Sequence, residues 1–198
     1  MTTKMTITMK IKRHRARGLT LIEVLITLFI FSIGLLTVAG MQVIAKKANF
    51  EAVQRTTATF VAYDILERMR ANSDRLAQYL TSGVGGGTLS APATDCGAAN
   101  CSTTALAIYD LYEWEQAIDG TAERSANGSA AGGLMIPTAC VTGPASGSAG
   151  VYTVAVAWFG SSALTNPPIN SCGEGAGKYG DSDEYRRILV VTTFITPT

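Results

Sequence analysis

Histidine is almost missing from this 198-residue chain. Its single copy, His14, falls within the first 18 residues, so residues 19–198 have none. That removes His-based catalytic triads and His metal ligands from nearly the whole chain. Cysteine is scarce as well. The four copies, Cys96, Cys101, Cys140 and Cys172, form no CxxC pair, so their spacing does not read as a zinc site. Gly85-Gly86-Gly87 is followed by no Gly-Lys-Ser/Thr and is not a P-loop. Asp181-Ser182-Asp183-Glu184 lacks the EF-hand spacing and reads as a solvated acidic loop. Asn100-Cys101-Ser102 and Asn127-Gly128-Ser129 match the glycosylation triplet, which is too short a pattern to carry weight. Asp95, Asp110, Glu113, Glu115 and Asp119 offer a two-carboxylate reading, but they read better as the solvated acids of a helix surface. The expectation is a chain with no cofactor, no metal and no enzymatic activity.

What the chain does have is asymmetric. Lys4, Lys10, Lys12, Arg13, Arg15 and Arg17 place six of its 16 basic residues in the first 18 positions, with no acid among them; beyond them, ten basic residues face 15 acidic ones. A basic cluster can neutralise nucleic-acid phosphates. This one stands directly before a long apolar run, where it reads as a cytoplasmic anchor under the positive-inside rule; no direct nucleic-acid partner is expected. Residues 19–45 form that run and carry one charge, Glu23, before Lys46 and Lys47 close it. As a helix it is about 40 Å long, enough to span a bilayer core of about 30 Å. An ordinary signal peptide would show a shorter run ending in an A-x-A site. Here the better cleavage site precedes the run, at Gly18, so that cutting removes the basic leader and leaves the apolar helix on the mature chain. An uncut signal anchor is the plain alternative, and Glu23 argues against it. A carboxylate in a membrane helix costs about 2.5–3.5 kcal/mol near the centre and less near an end. Cleavage would supply its partner: a free α-amine on Leu19, with an ordinary pKa of about 7.7–8.0, one helical turn away on the same chain or on a neighbour.

The segment Arg17-Gly18-Leu19-Thr20-Leu21-Ile22-Glu23 followed by an apolar helix resembles the type IV prepilin signature. The resemblance implies a membrane-embedded prepilin peptidase that cuts between Gly18 and Leu19 and N-methylates Leu19, with Glu23 docking the subunit during assembly. Leu19 departs from the family's usual Phe, and the leader is long, with Met5 and Met9 as alternative starts.

Helical signals continue to about residue 80. Residues 46–80 contain no Pro, and the Asn72-Ser73 pair is their one candidate break. Phe50, Val53, Thr57, Phe60, Val61, Ile65, Leu66 and Met69 form one apolar stripe, while Glu51 with Arg55 and Asp64 with Arg68 suit a solvated face. A helix from residue 19 to 80 would run about 90 Å, its first half projecting and its second half packed on a sheet. Gly34 and Gly40 interrupt the apolar half, and suit either close helix packing or local melting on leaving the lipid. Residues 82–103 and 120–133 read as loops. Residues 104–119 read as a helix capped by Thr103 or Thr104, with Ile108, Leu111, Trp114 and Ile118 on one face and Gly120 ending it. Three strands are expected over residues 134–142 (an edge, because of Pro137), 151–159 and 185–195, joined antiparallel by short loops around 143–150 and 166–183. The even cysteine count beyond the membrane run suggests two disulfides in an oxidising compartment. Three pairings are open, and Cys96–Cys101 with Cys140–Cys172 is favoured because the first two are so close in the chain.

The expected fold class is therefore α+β, a long N-terminal helix on a small antiparallel sheet, which is what the pilin fold looks like. The expected organisation is a leader over residues 1–18, a transmembrane and filament-core helix over 19–45, and a periplasmic globular domain over 46–198. Ala62-Tyr63-Asp64-Ile65-Leu66-Glu67-Arg68-Met69-Arg70-Ala71-Asn72, Val154-Ala155-Val156-Ala157-Trp158, Cys172-Gly173 and Tyr185-Arg186-Arg187 further resemble the PilV-type minor pilins. That resemblance implies an inner-membrane, single-pass subunit that passes into the pilus at the cell surface and helps initiate assembly. Its partners would be the prepilin peptidase, other minor and major pilins, the inner-membrane assembly platform and a tip adhesin. Rival readings are a minor pseudopilin of a type II secretion system and a membrane-anchored periplasmic enzyme.

Overall fold

A computed structural model describes Gly18, residues 20–121, Glu123, residues 125–128, Ala130 and residues 132–197. These divide into two compact units between Ala45 and Lys46. One helix, α1, runs Leu21–Ala71. Its 51 residues contain no Pro, so nothing interrupts the i to i−4 ladder. In the first unit its apolar side chains from Leu21 to Ile44 are 39–85% exposed.

In the second unit α1 buries Gln54, Ala58, Val61, Ala62, Ile65, Leu66 and Met69. Half of the expected stripe is thus correct and half is not. Val61, Ile65, Leu66 and Met69 enter the core, whereas Val53 (60% exposed) and Phe60 (75% exposed) face outward. Hydrophobicity alone could not choose between the two faces. The small Ala58 and Ala62 mark the one that lets the sheet approach closely. The helix also stops earlier than expected, at Ala71. Asn72 leaves helical geometry (φ −125°, ψ 49°), and its side-chain amide donates to Thr103 O (2.7 Å) and Tyr79 Oη (3.1 Å). Those bonds compete with continued helix, as short amide side chains do. A 3-10 turn, Ser73–Tyr79, follows.

The sheet has the order β1-β2-β3-β4, from Thr81–Val84, Thr138–Thr142, Gly150–Phe159 and Arg186–Ile195. Every neighbouring pair is antiparallel. β1 lies in a stretch expected to be loop. Because it pairs with β2, β2 is an interior strand and Pro137 stands just before it rather than on an edge. β3 alternates as expected: Tyr152, Val154, Val156 and Trp158 point into the same core as α1. The second helix, α2 (Thr103–Asp119), is capped by Ser102, whose hydroxyl accepts from Ala105 N, in place of the expected Thr. Gly120 ends it at φ +65°, and no side chain fits there. A Cβ would lie 1.9 Å from Gly133 N. Trp114 crosses from α2 to α1, its Nε1–H donating to Val61 O at 2.7 Å. Ile108, expected on the buried face, is exposed. Disulfides join Cys96 to Cys101 and Cys140 to Cys172. The architecture is α+β, a long N-terminal helix packed on a four-stranded antiparallel sheet.

Candidate processing and docking site

The N-terminal residues converge on the first turn of α1. Thr20 stands just before the helix. Its carbonyl accepts from Glu23 N (3.0 Å) and Val24 N (3.2 Å), and its hydroxyl lies 3.4 Å from Glu23 N. Thr20-Leu21-Ile22-Glu23 is a capping-box spacing, and a carboxylate in the first turn complements the positive end of the helix dipole. Glu23 therefore helps start the helix, and its carboxylate has no partner among the described residues. Gly18 is exposed, and apart from its chain neighbours no atom of the described residues lies within 4 Å of where a Cβ would sit. That open, unencumbered backbone suits access by a peptidase. Leu19, expected as the new N-terminus and methylation site, lies outside the described residues, as do residues 1–17 of the leader.

Beyond Glu23 the helix is well suited to lipid. Its most apolar 18-residue window has a mean hydropathy of 2.5. The hydroxyls within it are satisfied internally: Thr27 donates to Val24 O (2.9 Å), Ser32 to Leu28 O (2.7 Å) and Thr37 to Ile33 O (2.9 Å). Each would otherwise leave an unpaired polar group in hydrocarbon. The helix passes unbroken through Gly34 and Gly40, and beyond the helix's own nearby backbone no atom of the described residues lies within 4 Å of a Cβ built at either. No contact among the described residues requires glycine at these positions.

The described residues thus place a carboxylate in the first turn of a membrane-length helix, one turn beyond Gly18. Residues 13–39 match the Prokaryotic N-terminal methylation motif, and residues 40–112 match the family described as Type IV pilin Tt1218. The chain is a pilin or pseudopilin subunit. No curated protein and no solved structure matches it. The motif implies processing by a prepilin peptidase, membrane anchoring and assembly with other pilins. Proteins of the pilin family are generally structural subunits.

Two of the acids expected on a solvated surface lie inside the head instead, while Asp95 is exposed and Glu113 and Asp119 are half-buried. Asp110 and Glu115 are buried. Asp110 accepts from Arg68 Nη1 (3.0 Å) and from Tyr79 Oη–H (2.5 Å), while Arg68 Nε also donates to Asp64 (3.0 Å). Burial and the bond to Asp110 push the Tyr79 hydroxyl well above its ordinary pKa. Glu115 accepts from Gly85 N (3.0 Å), Thr88 N (2.6 Å), Thr88 Oγ1 (2.6 Å) and Leu89 N (2.8 Å), while Asp119 takes Gly86 N and Gly87 N. Burial pushes the Glu115 carboxyl up, but these donors outweigh it and hold it below the ordinary carboxylate value. The glycine run is thus a nest for the protein's own carboxylates. Glu51 and Arg55 do not pair; Glu51 Oε1 instead accepts from Ser161 N at 2.5 Å. Among the described residues no group of three His, Cys, Asp or Glu side chains is placed to hold a metal.

Three structural roles escaped the sequence. The Gln54 amide clasps backbone on both sides, accepting from Met135 N (2.8 Å) and donating to Gly133 O (3.3 Å). The guanidinium of Arg186 is wholly buried and donates to Asn166 Oδ1, Pro167 O, Asn170 O and Cys172 O at 2.7–2.8 Å. Trp158 buries an indole N–H that has no acceptor among the described residues. Only Arg186 left a signal, as a charge at the head of an apolar strand.

Proposed function

We propose that the chain is a minor pilin of the PilV type that helps initiate type IV pilus assembly, in support of pilus-dependent motility or adhesion. In this reading residues 1–18 are a cytoplasmic leader, residues 19–45 cross the inner membrane and later enter the filament core, and residues 46–198 form a periplasmic head. Prepilin peptidase cuts between Gly18 and Leu19 and methylates Leu19. Glu23 then meets the new N-terminus of a neighbouring subunit and sets the axial register. The observation that carries the reading is Glu23 itself: a lone carboxylate one turn from the cut, at the start of a helix whose apolar surface is exposed on all sides. A carboxylate there persists only if a partner offsets its cost in lipid. The residues shared with PilV-type minor pilins support the subtype.

The test is the intact mass of the chain from host membranes with and without prepilin peptidase. Loss of residues 1–18 and gain of one methyl, only when the peptidase is present, is the expected result; an unprocessed chain in both strains overturns the reading. Deleting the gene should abolish piliation. Loss of protein secretion with pili intact would transfer the chain to a type II secretion pseudopilus.

A further inference from the structure

Within the head, α1 and the β3–β4 edge enclose a cavity of about 550 Å³. Its walls combine polar groups that are only partly satisfied among the described residues. Trp158 lines it, and the Trp158 Nε1–H is buried without an acceptor among the described residues, where an unmet donor is costly. Arg55 lines it from α1, and its guanidinium has no partner among the described residues. Arg187 lines it from β4 and donates only to carbonyls: Ser162 O (2.5 Å), Arg186 O (3.3 Å) and Glu184 O (3.4 Å). Gly160 makes room for that guanidinium, since a Cβ there would lie 2.6 Å from Arg187 Cζ. The one acid in the wall, Glu51, already accepts from Ser161 N. Two cations therefore face one committed carboxylate, beside an orphaned donor. The remaining wall is apolar, with Ile188 at the side and Leu164, 59% exposed, at the rim.

We propose that this cavity receives an acidic side chain from another pilin-type subunit, its carboxylate lying between Arg55 and Arg187 and accepting from Trp158 Nε1. Charge complementarity sets the ligand class, because a carboxylate is the group that satisfies a guanidinium pair and an indole N–H together. The apolar walls and rim suit a carboxylate carried on an aliphatic stem and flanked by apolar neighbours, rather than a free inorganic anion. The proposal rests on the filament-subunit reading above.

The experiment places a photoreactive amino acid at Leu164 in the full-length chain, expressed in host cells with the pilus machinery present. Adducts are identified by peptide sequencing, and leader removal is scored in the same cells. The expected adduct joins a pilin-type subunit through a peptide that contains Asp or Glu. Arg55→Glu should lower its yield by at least about tenfold, and Lys in place of that partner acid should restore it. Arg55 makes no side-chain bond among the described residues, so this variant tests docking and not folding; Arg187→Glu gives a second reading. Adducts only to lipid, adducts to a peptide without an acid, no adduct, or a yield indifferent to Arg55→Glu would each overturn the proposal. If the leader is removed and the adduct is missing, the cavity proposal alone fails. If the leader is retained, the filament-subunit reading fails with it.

Discussion

Glu115 is a buried carboxylate with no cation beside it among the described residues; its charge is held by one hydroxyl and three backbone amides. Its pKa is held below that of an exposed glutamate. The stability it contributes is therefore complete above the ordinary value of about 4.3 and is lost as pH falls through the lower folded value. Acid unfolding of the full chain in detergent, followed by near-ultraviolet circular dichroism, should lose a component below about pH 4 that is missing in Glu115→Gln. That variant should cost about 2–3 kcal/mol at neutral pH, because an amide cannot accept at both positions and leaves donors unmet. Tyr79 works in the opposite sense. Its raised pKa adds stability below about pH 10, which is lost as the pH climbs through the folded value. At the other end of the chain, Glu23→Gln should leave leader removal intact and abolish incorporation into filaments, read by immunoblot of sheared pili. Glu23 stands out in the sequence because a charge in an apolar run needs a reason. Glu115 does not: it lies beside Trp114 on the inner face of α2, and nothing in its neighbours announces the glycine nest that receives it.

The elements themselves were mostly visible. The limits of α2, the alternation of β3 and the end at Gly120 followed from local chemistry, since periodicity and a left-handed cap act over one or two turns. Gly120→Ala should cost about 2–4 kcal/mol, combining a strained φ with a clash against Gly133; a guanidinium titration would measure it. β1 was missed because four residues containing Gly83 carry no alternating signal, and its strand character comes from pairing with β2, more than 50 residues away. The same omission misplaced β2 as an edge. The two disulfides should differ in weight. Cys140–Cys172 closes a loop 32 residues apart against 5 for Cys96–Cys101. On chain-entropy grounds their removal as Ser pairs should cost about 3–4 and about 2 kcal/mol, respectively. Thermal unfolding of the two double variants ranks them.

For the molecule as a whole, the order of segments, with a basic leader, an apolar run, a helix and then strands, declared the α+β class and the membrane-length helix. What it could not declare was which face of α1 meets the sheet, because apolar residues occur on both. If the basic leader stays inside the cell, protease added to right-side-out spheroplasts should digest the head and spare a fragment around residues 1–45; protection of the head would reverse the orientation. Both disulfides lie between Cys96 and Cys172, so neither includes α1. This has a mechanical consequence. Tension carried along the helices of a filament enters each head through packing, the Gln54 clasp and one covalent route, from Ala71 through the 3-10 turn into β1. β1 is a four-residue strand at the edge of the sheet, so a pulled subunit would yield there first, peeling β1 from β2 while both sulfur-closed loops kept their shape.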